Sequence, residues 1–286
     1  MARKNIEVVD GVRPLQWATD QLGCSRYMAD TIVELLLGNC NTYPPSTKCR
    51  QIYRVGLYDP DGYLIKTLPL STYGTERNDT LGMSYVVLTY KDTSKDIYIV
   101  DRIKLFGKAP QHDDVSGNYY EMAKYVLDAP VSKEYGDTVD VVVKLGHPFT
   151  TTVCATHWFT ATLKDLFVGG WDWYPRTRWN EWRLYDADWY MLASLDASTP
   201  VVTSGTVPGY DVPYMGVKWE DSVSLGSSYN VYYLGLSVKD TASHPNPYAR
   251  YKVGGQTIGP GTRTFRIEII QYYSYTPAGP GIPSIF

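Results

Sequence analysis

The chain has 286 residues, 44% hydrophobic and 20% charged, which suits one large β domain or two modest ones and excludes a disordered chain. Its formal net charge is −3, from 27 Lys and Arg against 30 Asp and Glu. That balance lacks the basic surplus a nucleic-acid binder needs for the phosphate backbone, and no Lys/Arg run supplies one locally.

The start, MARKNIEVVDGVRP, has charge but no apolar stretch of the secretory kind. No apolar run approaches the ~20 residues that cross a bilayer. The expectation is cytoplasmic synthesis and no membrane span. Residues 1–12 read as an arm. Residues 13–37 are the one helical region. Pro14 suits a first turn, Leu15, Ala18 and Leu22 share a face, and Gly23 closes that helix. Ser25 then caps a second helix through Met28, Ile32, Val33, Leu35 and Leu36, ending at Gly38 and Asn39. Two short helices joined at LGCS suggest a helix-turn-helix, but the third helix is missing. The second helix carries Asp30 and Glu34 with only Arg26 basic, so no nucleic-acid partner is expected.

The cysteines are Cys24, Cys40, Cys49 and Cys154, with no CxxC and therefore no zinc spacing. Cys40 and Cys49 flank NTYPPSTK and can bridge across it. A cytosolic mesophile would keep them as thiols and a hyperthermophile would pair them, so the state is left open.

From residue 50 the pattern changes to short β-branched and aromatic runs: QIYRVGLY, YLIKTLPL, SYVVLTYK, IYIVDRIKLF, TVDVVVKL, NVYYLGLSV and RTFRIEIIQYYS. Gly, Pro, Asp and Asn turns separate them, and no long helical pattern intervenes. This spacing predicts sandwiches or jelly rolls, not βαβ units. The 26 Tyr and 8 Trp, against 6 Phe, suit such pleated surfaces and also interfaces, since each ring has an apolar body and a polar tip.

One segment occurs twice. LYDPDGYLIKTLPLST at 57–72 and LYDADWYMLASLDAST at 184–199 agree at Leu57/Leu184, Tyr58/Tyr185, Asp59/Asp186, Asp61/Asp188, Tyr63/Tyr190, Leu68/Leu195, Ser71/Ser198 and Thr72/Thr199. A weaker match joins LTYKDTS at 88–94 to LSVKDTAS at 236–243. The reading is a duplication. Asp-Pro-Asp-Gly predicts a type I turn with positive φ at Gly62. The second copy lacks Pro and Gly and is expected to be looser or longer. The Asp residues read as turn formers, since a calcium loop of the EF-hand kind needs further ligands and a Glu at its twelfth position.

Six Trp fall between 158 and 189: Trp158, Trp171, Trp173, Trp179, Trp182 and Trp189, with Tyr174, Tyr185 and Tyr190 among them. The core of the second module and its junction with the first explain Trp179 and Trp182, and a subunit interface and a sugar-stacking platform are the other two readings of the cluster. The candidate interface set is Trp171, Trp173, Tyr174, Trp179, Trp182 and Trp189. To these are added Ile285 and Phe286, anchors of an apolar Pro/Gly-rich tail, TPAGPGIPSIF, that can lie on a neighbour. No catalytic constellation is visible. His112, His147, His157 and His244 are dispersed, and Cys154 and His157, three apart in a strand, point to opposite faces. No HExxH, Walker, GxSxG or dinucleotide motif has a supporting context. No enzyme activity, cofactor or metal is expected.

The series IYRVGLYDPDGYLIKTLPL … SYVVLTYKDTSKDIYIVDRIKLFG resembles the β-rich structural proteins of viruses and tailed phages, and the Tyr-heavy, Lys-modest composition resembles proteins of thermophilic archaeal viruses. The resemblance is detailed over residues 52–107 and compositional elsewhere. It implies a mostly β chain of two related β-sandwich or jelly-roll-like modules with a short N-terminal helical segment. The divisions expected are 1–45 (arm and helices), 46–170 (first module), 171–275 (second module) and 276–286 (apolar C-terminal arm). It also implies a structural virion protein, capsid or tail, that self-assembles or joins other virion proteins. A receptor-binding tail protein that grips host glycans is the alternative, and a β-sandwich glycosidase is less favoured.

Overall fold

The computed structural model describes residues 2–10, 23–37, 39–41, 46, 48–78, 83–108, 119–146, 153–155, 179–209, 211–238 and 249–277. The chain is mostly β. Its elements are β1 (Arg3–Asp10), β2 (Gly23–Cys24), α1 (Arg26–Leu36), β3 (Gln51–Tyr58), β4 (Leu64–Asn78), β5 (Met83–Asp92), β6 (Tyr98–Lys108), β7 (Tyr120–Lys133) and β8 (Thr138–Gly146). There follow β9 (Val153–Ala155), β10 (Trp179–Tyr185), β11 (Met191–Asp196), β12 (Val201–Val207), β13 (Val212–Leu225), β14 (Tyr229–Val238), β15 (Ala249–Ile258) and β16 (Gly261–Tyr272).

Eight strands curl in the order β1-β8-β5-β4-β3-β6-β7-β2, because the long β4 pairs with β3 through its first half and β5 through its second. The later strands form β11-β10-β14-β15-β9 and β12-β13-β16. Apart from β1, which has no counterpart among the described residues, the second set repeats the strands of the first. β2, β3, β6 and β7 correspond to β9, β10, β14 and β15; β5 and β8 correspond to β13 and β16. The continuous β4 is divided into β11 and β12, separated by residues ending in Pro200, which cannot donate to a ladder.

The correspondence holds residue by residue. Tyr58↔Arg102 and Leu57↔Ile103 reappear as Tyr185↔Tyr233 and Leu184↔Leu234, and the bulge between Ile52 and Arg54 reappears between Trp179 and Glu181. Period-two burial follows the same frame. β8 buries Val139, Val141, Val143 and Leu145, and β16 buries Phe265, Ile267, Ile269 and Gln271. The weaker sequence match is corrected by this topology. Residues 88–92 lie in β5, next to β4 and β8, whereas 236–238 lie in β14, next to β10 and β15. The true partner of LTYKD is VKWED at 217–221, so Leu88, Tyr90 and Asp92 match Val217, Trp219 and Asp221.

The N-terminal segment is more than an arm. Residues 3–10 run parallel to β8, from Arg3↔Thr138 to Asp10↔Leu145, because Ile6 and Val8 alternate into the core. Arg3 pairs with Asp140, and Lys144 bonds Glu7 and Glu76, each at 2.9 Å. The first expected helix falls outside the described residues. The second is α1, shorter than expected and capped at its end by Leu37. Ser25 stands at its N-cap with extended backbone but makes no side-chain cap bond. It accepts instead from the N–H groups of Met28 and Ala29 through its carbonyl and donates its own N–H to the Met122 carbonyl at 2.8 Å. Cys40 and Cys49, both buried, are joined in a disulfide, and Cys24 is half-buried on β2.

The two strand sets share one continuous core, and α1 packs on β7 of the first and on β13 and β16 of the second. After β16 the chain returns to the start of the first set: Ser274 N–H donates to the Cys24 carbonyl at 2.9 Å and Arg26 N–H to the Tyr275 carbonyl at 3.0 Å. β2 pairs with β7 although it lies in the expected N-terminal segment, and β9 pairs with β15 although it precedes the expected division at 170. Among the described residues no helix is long and apolar enough to cross a membrane.

Candidate interaction surface

The repeated sequence builds two hairpin tips with the same bonds. In the first, Asp59 N–H donates to the Tyr63 carbonyl at 3.0 Å, Gly62 N–H to the Asp59 carbonyl at 3.0 Å, and Tyr63 N–H to Asp59 Oδ1 at 2.7 Å. In the second, Asp186 N–H donates to the Tyr190 carbonyl at 3.1 Å, Trp189 N–H to the Asp186 carbonyl at 3.4 Å, and Tyr190 N–H to Asp186 Oδ1 at 2.9 Å. Asp188 N–H adds a bond to Asp186 Oδ1 at 2.9 Å. Asp59 and Asp186 are therefore turn formers. The second tip is not longer than the first: the register, including the bulge after Leu57 and after Leu184, is identical. Its shared bonds are slightly longer, most of all the one donated by Trp189. Each tip ends in a tyrosine turned to solvent: Tyr63 is 73% exposed and Tyr190 71%.

The tips differ in what the neighbouring strand lays across them. Over the first lies Arg102, whose Nη2 donates to the Pro60 carbonyl at 3.0 Å and pairs with Asp101 at 3.2 Å. Over the second lies Tyr233, stacked on Trp189 with centroids 3.8 Å apart and planes at 20°. Tyr185 joins at 5.8 Å from Trp189, and Met191 beyond Tyr190 is 55% exposed. Trp189 and Tyr190 are thus the aromatic residues of the candidate cluster that the structure brings to a tip.

Trp182 belongs to the core, not to a surface. It is fully buried, its ring 6.0 Å from Phe265, and its Nε1–H donates to Asp221 Oδ2 at 2.6 Å. Alternation along β10 sends Trp182 and Leu184 inward and sets Glu181, Arg183 and Tyr185 on the opposite side, also buried. There Arg183 Nε donates to Glu181 Oε2 at 2.7 Å and Ser194 Oγ–H bonds Glu181 Oε1. Trp179 enters β10 opposite Val238. Trp171, Trp173, Tyr174, Ile285 and Phe286 lie outside the described residues.

A basic row on the first set was not foreseen. Lys104 of β6 stands directly opposite Lys124 of β7, between Gly56 on β3 and Gly23 on β2. Lys104 Nζ donates to Glu121 Oε2 at 3.0 Å and lies 5.0 Å from the Tyr58 ring centre. Lys124 Nζ lies 4.4 Å from the Tyr275 ring centre. Burial lowers the Lys124 pKa from its ordinary value, and the nearby charges of Lys104 and Arg102 add to this against the pull of Glu121. Burial, with Glu121 second, pushes Tyr58 up to about 12. Like charges directly opposite in a ladder are destabilising, and here Glu121 and the Tyr58 and Tyr275 rings offset that repulsion. The lysines sit singly in RIKLF and EMAKY, and only the register shows that they meet.

No protein-family model matches the chain, and no curated protein or solved structure matches it.

Proposed function

We propose that the chain is a structural virion protein, a capsid or tail component, that works by self-association or by joining other virion proteins. It would be made in the host cytoplasm and end in the particle. The observation that carries this reading is the hairpin tip presented twice on one chain, each time with an exposed tyrosine. A single self-complementary surface closes a dimer and stops. Two on one chain give a valency of two, which a ring, filament or lattice requires. The reading assigns no catalytic residue and no cofactor. Sedimentation velocity and negative-stain microscopy at rising concentration test it. Concentration-dependent oligomers or regular assemblies are expected, and a strictly monomeric species at high concentration with no partner contradicts it.

A glycan-binding tail protein is the second reading, favoured by the second tip alone. Trp189, Tyr190 and Tyr233 offer aromatic faces beside the Asp188 carboxylate, a combination that stacks on sugars and accepts their hydroxyls. Glycan-array binding that disappears on Tyr190→Ala supports it, and the absence of any binding removes it.

A further inference from the structure

The two strand sets share a backbone plan but have diverged in charge at corresponding places. The first tip has the cation Arg102 on its Pro60 carbonyl, where Arg102 also pairs with Asp101, and the second puts the neutral Tyr233 there. Among the described residues neither Asp186 nor Asp188 is in an ion pair, so the second tip is acidic as well as aromatic. On the sheet faces Lys104 of the first set corresponds to Gly235 of the second, which stands between Arg183 and Arg250, so two directly opposed cations occur at this row in the first set and not in the second. Lys124 has no acidic partner within ion-pair distance among the described residues, and Val126 in the next row is 47% exposed.

We propose that the acidic tip, Asp186–Tyr190, of one chain docks on the Lys104–Lys124 row of a second copy, head to tail. The proposal rests on the self-assembly reading and specifies its contact. Asp188 sits on the row and gives Lys124 the carboxylate partner that Lys104 already has in Glu121. Tyr190 and Met191 bring apolar area to Val126. Tip and row lie on different strand sets, so each chain presents both a donor and an acceptor. Such a heterologous contact repeats into rings or open filaments.

Sedimentation velocity on the full chain tests this with Asp188→Lys, Lys124→Glu, their equimolar mixture and the double variant. The turn bonds are made by the Asp186 side chain and by backbone, so Asp188→Lys leaves the hairpin intact. Each single variant is expected to weaken self-association by about tenfold or more, since like charges now face each other. The mixture and the double variant bring the reversed tip against the reversed row, so opposite charges face each other again and most of the association is expected to return. Where a charge reversal disturbs folding in the near-ultraviolet spectrum, Asp188→Asn and Lys124→Gln carry the same sign with smaller loss. Undiminished assembly of both single variants, beside an assembling wild type, overturns the docking contact and leaves the assembly reading standing. A wild type that stays monomeric throughout overturns both.

Discussion

Gly62 and Trp189 stand at the same point of the two hairpin turns, and both hold a left-handed backbone, with φ of 87° and 71°. Glycine accepts that conformation freely, whereas a bulky residue loses about 1–2 kcal/mol there. What lies above each position explains how both persist. A Cβ on Gly62 would come 3.5 Å from Arg102 Nη1, ordinary contact, and Tyr233, at the place of Arg102, stacks on the Trp189 ring. The second set exchanged a relaxed turn under a cation for a strained turn under a ring.

That exchange makes the second tip a balance of two opposed effects. An aromatic pair contributes about 0.5–1.5 kcal/mol beyond area burial, comparable to the strain. Trp189→Gly is therefore expected to be close to neutral in denaturant unfolding. Tyr233→Ala, which removes the stack and leaves the strain, is expected to cost about 1–2 kcal/mol. In the Trp189→Gly background the cost of Tyr233→Ala should fall. Equal costs in both backgrounds would show that the stack does not hold the turn.

Trp182 and Asp221 tie β10 to β13 inside the core. Asp221 also accepts the Ser198 N–H, at 3.1 Å to Oδ1 and 3.0 Å to Oδ2, so its charge is held by two donors. Trp182→Phe keeps most of the apolar volume but removes the indole donor from a carboxylate. A loss of about 2–3 kcal/mol is expected. Self-association, measured beside it, should not change at protein concentrations where the variant is folded.

The fold was legible in the sequence wherever a local pattern reports it. The period-two runs marked the strands, and LYDPDGY against LYDADWY marked the duplication with its turn bonds. The rest depends on pairing between distant strands. Nothing in LSVKDTAS reveals that its first residues sit opposite β10 and β15, and the resemblance to LTYKDTS misled where VKWED, with only Asp221 and one hydrophobic alternation to share, was the real counterpart. Trp182 fitted both the core of the second module and the interface set because Trp clusters count alike in the two, and only the alternation of β10 separates it from Trp189. The Lys104–Lys124 pair joins residues of two different strands, so no window along the chain contains it.

Tyr90 offers a test of an unused polar group. It is fully buried, its hydroxyl has no hydrogen-bond partner among the described residues, and Trp219 holds the matching place in β13. Burial alone raises its pKa far above the ordinary tyrosine range. A raised folded pKa contributes stability that is fully present below the unfolded value near about 10 and lost as pH climbs above it. Tyr90→Phe removes an unsatisfied hydroxyl at constant shape. It is expected to raise stability at neutral pH by about 1 kcal/mol and to soften the decline above about pH 10. A destabilised Phe variant would mean that the hydroxyl is bonded after all.

Asp92 is expected to contribute to the acid limit of the first set. Its carboxylate is buried and accepts from the Tyr98 hydroxyl, from Ser94 N–H at 2.9 Å and from Lys66 Nζ at 3.3 Å. Lys66 reaches on to Asp96 at 2.6 Å, and the buried Lys133 ammonium donates to the carbonyls of Ser94 and Asp96 at 2.6 and 2.9 Å, so the cluster pins the loop between β5 and β6. Burial by itself would raise the Asp92 pKa, but the donors from Tyr98, Ser94 and Lys66 outweigh it and hold the group below its ordinary value. A depressed folded pKa contributes stability that is present above the unfolded value and lost as pH falls through the folded one. The loss therefore lies below about pH 4. Asp92→Asn is expected to cost about 2–3 kcal/mol at neutral pH, since it weakens charged bonds to Tyr98 and Lys66. It should also flatten the acid limb relative to wild type, as read from urea midpoints between about pH 3 and 7. An acid limb of unchanged slope in the variant would assign the acid sensitivity to other carboxylates, with Asp137, held below its ordinary value by the Ala2 N–H at 2.7 Å, the next to substitute.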